Sequence, residues 1–129
     1  MEKQHVLVVE DESAVQLILQ DALEEAGFAV TVSDSAEEAI KRLEQSDPAF
    51  DALVTDVHLT KTGAEGWDIA RAARELNGAL PVIYITGAAA ADWPVNGVPN
   101  SILVAKPFAP AQIITALSQL LNIGGTAAI

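Results

Sequence analysis

Cysteine is absent from the sequence, which excludes disulfides, thiolate metal sites and a thiol nucleophile. Cations are scarce: seven Lys and Arg stand against eighteen Asp and Glu, for a formal charge of -11. A chain this acidic repels a nucleic-acid backbone or an anionic membrane surface over long range, so direct DNA binding is excluded from the expected functions. Glycine and proline are modest in number, and nothing in the composition suits a disordered or collagen-like chain. Long apolar runs are missing too. The run Val6-Leu-Val-Val9 is far shorter than a membrane span, and no cleavage-site pattern follows it, so it is not a signal peptide. The expectation is a cytoplasmic protein without membrane contact.

What remains is a core-rich chain: half of its 129 residues are apolar and 19% are charged, enough for one domain over residues 1–129 and too little for two. Short apolar runs of strand composition recur at His5 to Val9, Ala29 to Val32, Ala52 to Thr55, Pro81 to Ile85 and Ile102 to Ala105. Helix patterns separate most of them. Ser13 with Gln16 reads as a capping box for a first helix whose apolar face is Val15, Ile18, Leu19, Ala22 and Ala26, stopped by Gly27. Ser35 with Glu38 opens a second helix that ends at Ser46-Asp-Pro48. A third runs from near Gly66 or Trp67 to the Asn77-Gly78 stop, and Pro94, Gly97 and Pro99 leave the fourth only a turn or two. In the last, Pro110 stands near the first position and Ile113, Ile114, Leu117, Leu120 and Leu121 share a face, with residues 124–129 as a frayed tail. Strands that are apolar throughout suit a sheet covered on both faces, so the expected fold is a doubly wound, five-stranded parallel α/β sandwich.

Ligands of such sheets lie beyond the carboxyl ends of the strands. The residues there are Glu10-Asp11-Glu12, Asp56, Thr86 and Lys106. Acids after a strand often do no more than cap the next helix, and Glu12 is assigned that role. The others form a convergence: carboxylates brought together raise each other's pKa unless a cation offsets them, and an all-oxygen cluster suits Mg²⁺. Lys106 is the only Lys or Arg after Arg74, which argues against a merely solubilising or snorkelling side chain. His58, with no second His or Cys beside it, does not read as a side-chain metal ligand. His5 reads as a strand-start residue, and Trp67 and Trp93 as packing aromatics.

Four segments then carry a resemblance. Val6-Leu-Val-Val-Glu-Asp-Glu12, Asp51-Ala-Leu-Val-Thr-Asp56, Ile85-Thr-Gly87 and Lys106-Pro-Phe108 resemble, in order and spacing, the receiver domain of two-component response regulators. The resemblance covers nearly the whole chain and implies the flavodoxin-like receiver fold. It implies that Asp56 is the phosphoacceptor, that Glu10 and Asp11 hold Mg²⁺ with Asp56 and the main-chain carbonyl of His58, that Thr86 is the switch hydroxyl, and that Lys106 pairs with the phosphoryl group. It also implies a histidine kinase or histidine phosphotransfer protein as donor partner, and a signalling phosphoacceptor rather than an enzyme with a separate substrate. The side chains of His58 and Ala88 occupy positions that influence how water reaches the phosphoryl group in that family.

Departures stand beside the likeness. Thr60 replaces a usual proline four residues after the acceptor, the loop through Thr62-Gly-Ala-Glu-Gly66 is long, and Leu103 stands where an aromatic switch residue is common. Tyr84-Ile-Thr-Gly87 is similar to the Phe-Ala-Thr-Gly signature of a stand-alone subgroup at Thr86 and Gly87 alone. Two other readings use a related sheet. A small Mg²⁺-dependent aspartyl-phosphate hydrolase would want a second acid where His58 stands, and a flavin carrier would want a Gly- or hydroxyl-rich first loop where Glu10-Asp11-Glu12 stands. A receiver module cut from a hybrid histidine kinase is the third alternative. The last helix leaves Gln112, Thr115, Ser118, Gln119 and Asn122 on its outer side, uncharged, and with the fifth strand this face is where a partner or a second copy is expected to dock.

Overall fold

The computed structural model of the protein describes residues 3–59, 65–87 and 90–125. Strands and helices alternate as β1 (His5–Val9), α1 (Ser13–Glu25), β2 (Ala29–Ser33), α2 (Ala36–Gln45), β3 (Ala52–Asp56), α3 (Gly66–Leu76), β4 (Val82–Thr86), a 3-10 turn (Ala90–Asp92), α4 (Trp93–Asn96), β5 (Ser101–Ala105) and α5 (Pro110–Gly125). All strand pairs are parallel, in the order β2-β1-β3-β4-β5. The chain therefore reverses its winding between β1 and β3, and the crevice that this opens lies beyond Val9 and Asp56.

Alternation along each strand divides the core into two layers. Leu7, Leu53, Val82 and Tyr84 point to α2 and α3, where they meet Ala36, Ala39, Ile69 and Ala73. Val6, Val8, Val54, Ile83 and Ile85 point to α1 and α5, meeting Leu19, Leu23, Ile113 and Leu117. Each fully buried aliphatic side chain stabilises the fold by about 1.5–3 kcal/mol. Trp67 is buried edge-on to Tyr84, with ring centroids 4.6 Å apart. Trp93 is partly buried and its Nε1 donates to Ser101 Oγ at 2.9 Å. Both tryptophans are packing residues, as read from the sequence. His5 opens β1, its Nε2 2.7 Å from Thr31 Oγ1 and its ring against Phe50.

Helix starts differ from expectation at α1. The box between Ser13 and Gln16 does not form: Ser13 is already inside the helix, Glu12 is the N-cap residue without a side-chain cap, and the Gln16 side-chain amide turns back to the Glu10 carbonyl. That carbonyl leaves the sheet ladder where β1 ends, so a donor one turn into the helix satisfies it better than a cap would. Ile18 and Ala26 are exposed, while Leu19 and Leu23 carry the buried stripe. At α2 Ser35 does cap, accepting from the Glu38 N–H at 3.2 Å. The α5 helix continues through Gly124 to Gly125, two residues into the expected tail. Residues 126–129, Thr60, Thr62 to Ala64 and Ala88 lie outside the described residues.

Candidate functional site

Strand ends assemble the site. β1 delivers Glu10 and Asp11, β3 ends on Asp56, β4 on Thr86, and Lys106 follows β5 directly. The carboxylates of Glu10, Asp11 and Asp56 each offer an oxygen within 4.8 Å of the others, an arrangement able to hold a metal ion. Lys106 Nζ donates to Glu10 Oε1 and Asp56 Oδ2, both at 3.2 Å. Glu10 is 1% exposed and Asp56 7%, so water does little to spread their charge. With Asp11, Glu12 and Lys106 they line a depression of about 360 Å³. Thr86 is buried at the end of β4, and its carbonyl accepts the Lys106 N–H at 2.8 Å, which ties the lysine to the end of that strand.

Electrostatics follow from burial. Desolvation pushes the Glu10 carboxyl up to about 7 and the Asp56 charge adds to it, against the pull of the Glu12 N–H and of Lys106. Burial lowers Lys106, but Asp56 and Glu10 outweigh it and hold the ammonium above its usual value. Glu10 and Asp56 thus share one ammonium, with the Asp11 carboxylate beside them. Donors that are oxygen alone, gathered on one edge and short of positive charge, fit a small hard divalent cation.

Thus the structure joins Glu10, Asp11, Asp56 and Lys106 and sets Thr86 beside them. His58 follows on the loop after β3, and its side chain points to Glu65, with Nδ1 3.6 Å from Glu65 Oε2. Sequence reading did not single out Glu65 or the close approach of Gly66. The Gly66 N–H donates to the Val57 carbonyl at 2.8 Å, and a Cβ there would overlap the Asp56 carbonyl oxygen. A Gly directly after an acid, where a helix begins near the loop after β3, was the available signal. A second cleft, about 700 Å³ and lined in part by Arg74, Pro81, Asn100, Ile102 and Leu120, opens away from the acid cluster. Arg74 spends its donors there on the carbonyls of Leu80, Pro99 and Asn100.

A five-stranded parallel sheet of this order, with three carboxylates and a lysine gathered at the carboxyl ends of its strands, has the fold of CheY-like proteins. The model of the response regulator receiver domain matches residues 6–118, and the chain belongs to that family. It is 34% identical over 118 residues to the response regulator receiver protein CpdR of Brucella abortus, covering 90% of this chain and 95% of that protein. To the transcriptional regulatory protein CusR of Escherichia coli it is 31% identical, spanning 96% of this chain but 54% of the regulator. The crystal structure of a receiver protein from Sinorhizobium medicae superposes with a TM-score of 0.89 at 43% identity, covering 94% of this chain and 96% of that one. The receiver domain of a sensor histidine kinase from Pseudomonas aeruginosa, described with a magnesium ion in its active-site cleft, shares the fold at a TM-score of 0.79 and 24% identity, covering 94% of this chain and 99% of that domain.

Proposed function

We propose that the chain acts as a single cytoplasmic receiver domain over residues 1–129, which takes a phosphoryl group from a phosphohistidine onto Asp56. The observation that carries this is the Asp56 carboxylate held 3.2 Å from Lys106 within a trio of acids. An Asp56 oxygen attacks phosphorus in line, the P–N bond to the donor imidazole breaks, and its electron pair stays on the nitrogen. Lys106 already lies against Asp56 and is in reach of the transferred oxygens. Thr86, tied to Lys106 through its backbone, supplies the hydroxyl that follows the new charge. Glu10, Asp11 and Asp56, with the His58 main-chain carbonyl, would hold Mg²⁺, whose charge offsets the oxygens during transfer. The donor is a histidine kinase or histidine phosphotransfer protein. The protein assists its own phosphorylation and hydrolysis but has no separate substrate. Output follows through changed protein contacts, with docking of a partner or second copy on α5 and β5.

Intact mass after incubation with Mg²⁺ and acetyl phosphate tests the reading. One added phosphoryl group, mapped to Asp56, is the expected result; no added mass, or a label on another residue, overturns it. The hydrolase reading finds His58 where its second acid should stand, and the match to the receiver family tells against it.

A further inference from the structure

We infer that Glu65 and His58 form a tie across the base of the loop after β3 and that, through it, Glu65 is a positioning residue for the divalent cation. The inference rests on the reading that the His58 carbonyl is one of the ligands. Three contacts converge at this base. The Gly66 N–H closes onto Val57 O at 2.8 Å, with the glycine seated against the Asp56 carbonyl. A capping box joins Glu65 and Asp68, in which the Glu65 N–H donates to Asp68 Oδ2 at 2.9 Å. The Glu65 carboxylate also stands 3.6 Å from His58 Nδ1.

The residue type is informative. Asp, Asn, Ser and Thr are the favoured N-caps, and Glu is not among them. At position 65 Glu is one methylene longer than capping requires, and that length is what carries its carboxylate to His58 while the backbone stays in the helix start. The Gly66 contact fixes where the helix begins relative to Asp56, so the tie transmits that fixed position to residue 58. His58 can then rotate less about its own backbone, and its carbonyl direction narrows. Both side chains are about half exposed and 3.6 Å is longer than a hydrogen bond, so the tie is modest, at most the size that exposed ion pairs reach.

Isothermal titration of Mg²⁺ into the unphosphorylated protein tests this with Glu65→Asp, His58→Ala, the double variant, and Asp11→Asn as reference. Glu65→Asp keeps the charge and improves the cap, so bulk electrostatics and helix stability predict no loss of affinity. The tie predicts about two- to fivefold weaker binding with an unchanged or higher melting temperature. Removing His58 takes a potential cation away from the acids and by charge alone should tighten Mg²⁺; the tie predicts weakening instead. The double variant should bind no more weakly than the weaker single. If Glu65→Asp binds as the parent does while Asp11→Asn is weakened, or if the two losses multiply, the tie is overturned and the phosphoacceptor reading stands. If Asp11→Asn binds as the parent does, the cation is not held by the acid cluster and both fall.

Discussion

Asp56 is a carboxylate at a strand end, 7% exposed and 3.2 Å from an ammonium. Asp56→Asn replaces the anionic carboxylate by a neutral, poorly nucleophilic amide of the same shape, and labelling by acetyl phosphate, followed by intact mass, should disappear. Glu10 carries a pH dependence whose sign follows from its pKa being raised from 4.5 to about 7. The folded state holds that proton more tightly than the unfolded chain, so the stability linked to it is present below pH 4.5 and is lost as pH rises to about 7. Glu10→Gln should therefore raise the melting temperature of the metal-free protein at pH 8 and have a much smaller effect at pH 4.5. A variant that melts below the parent at pH 8 would show that the bond to Lys106 outweighs the burial cost. These residues were legible because each ends an apolar run. Glu65 and Gln16 were not, since their partners lie across a loop or on a neighbouring strand end that no local pattern marks.

Among the elements, α4 is short and held by side chains rather than by helical length. Tyr84 Oη accepts from the Val98 N–H at 3.1 Å, Arg71 donates to Asn96 O at 3.1 Å, and Gly97 leaves room for the Trp93 indole against it. Leu103 joins the packing there without an aromatic ring to swing. Phosphorylation should draw Thr86 toward the new oxygens and loosen or re-seat the segment behind it, so hydrogen exchange should change between Gly87 and Pro99. Unchanged protection across that stretch would remove it as the signalling element. On α5 the expected division holds: Ile113 and Leu117 are buried, and Gln112, Thr115, Ser118, Gln119 and Asn122 are exposed. Glu at both Thr115 and Gln119 should weaken association with the kinase or with a second copy, measured by sedimentation or binding, without lowering acetyl phosphate labelling. Helices were legible by their stripes and less so by their ends. A capping pattern such as Ser13 with Gln16 states what the side chains can reach, and the end of β1 offered Gln16 a better acceptor.

Over the whole molecule charge is lopsided: of residues 76–129 only Asp92 and Lys106 are charged. The five-stranded order was legible because parallel strands covered on both faces read as unbroken apolar runs. Which residues would meet across it required the topology. Lys106 lies 96 positions from Glu10 and 50 from Asp56 along the chain, and it arrives on an edge strand, whereas the two acids meet as soon as β1 pairs with β3. If β1 and β3 pair before β5 docks, folding passes through a stage in which two closely held carboxylates await their cation, and charge then adds to loop closure in setting its speed. Refolding of the metal-free protein should then accelerate in Glu10→Gln, with little change in the unfolding rate. Stopped-flow measurement of both limbs decides it: a variant that instead unfolds more slowly, at an unaltered refolding rate, would mean that β5 brings its lysine before the barrier is crossed.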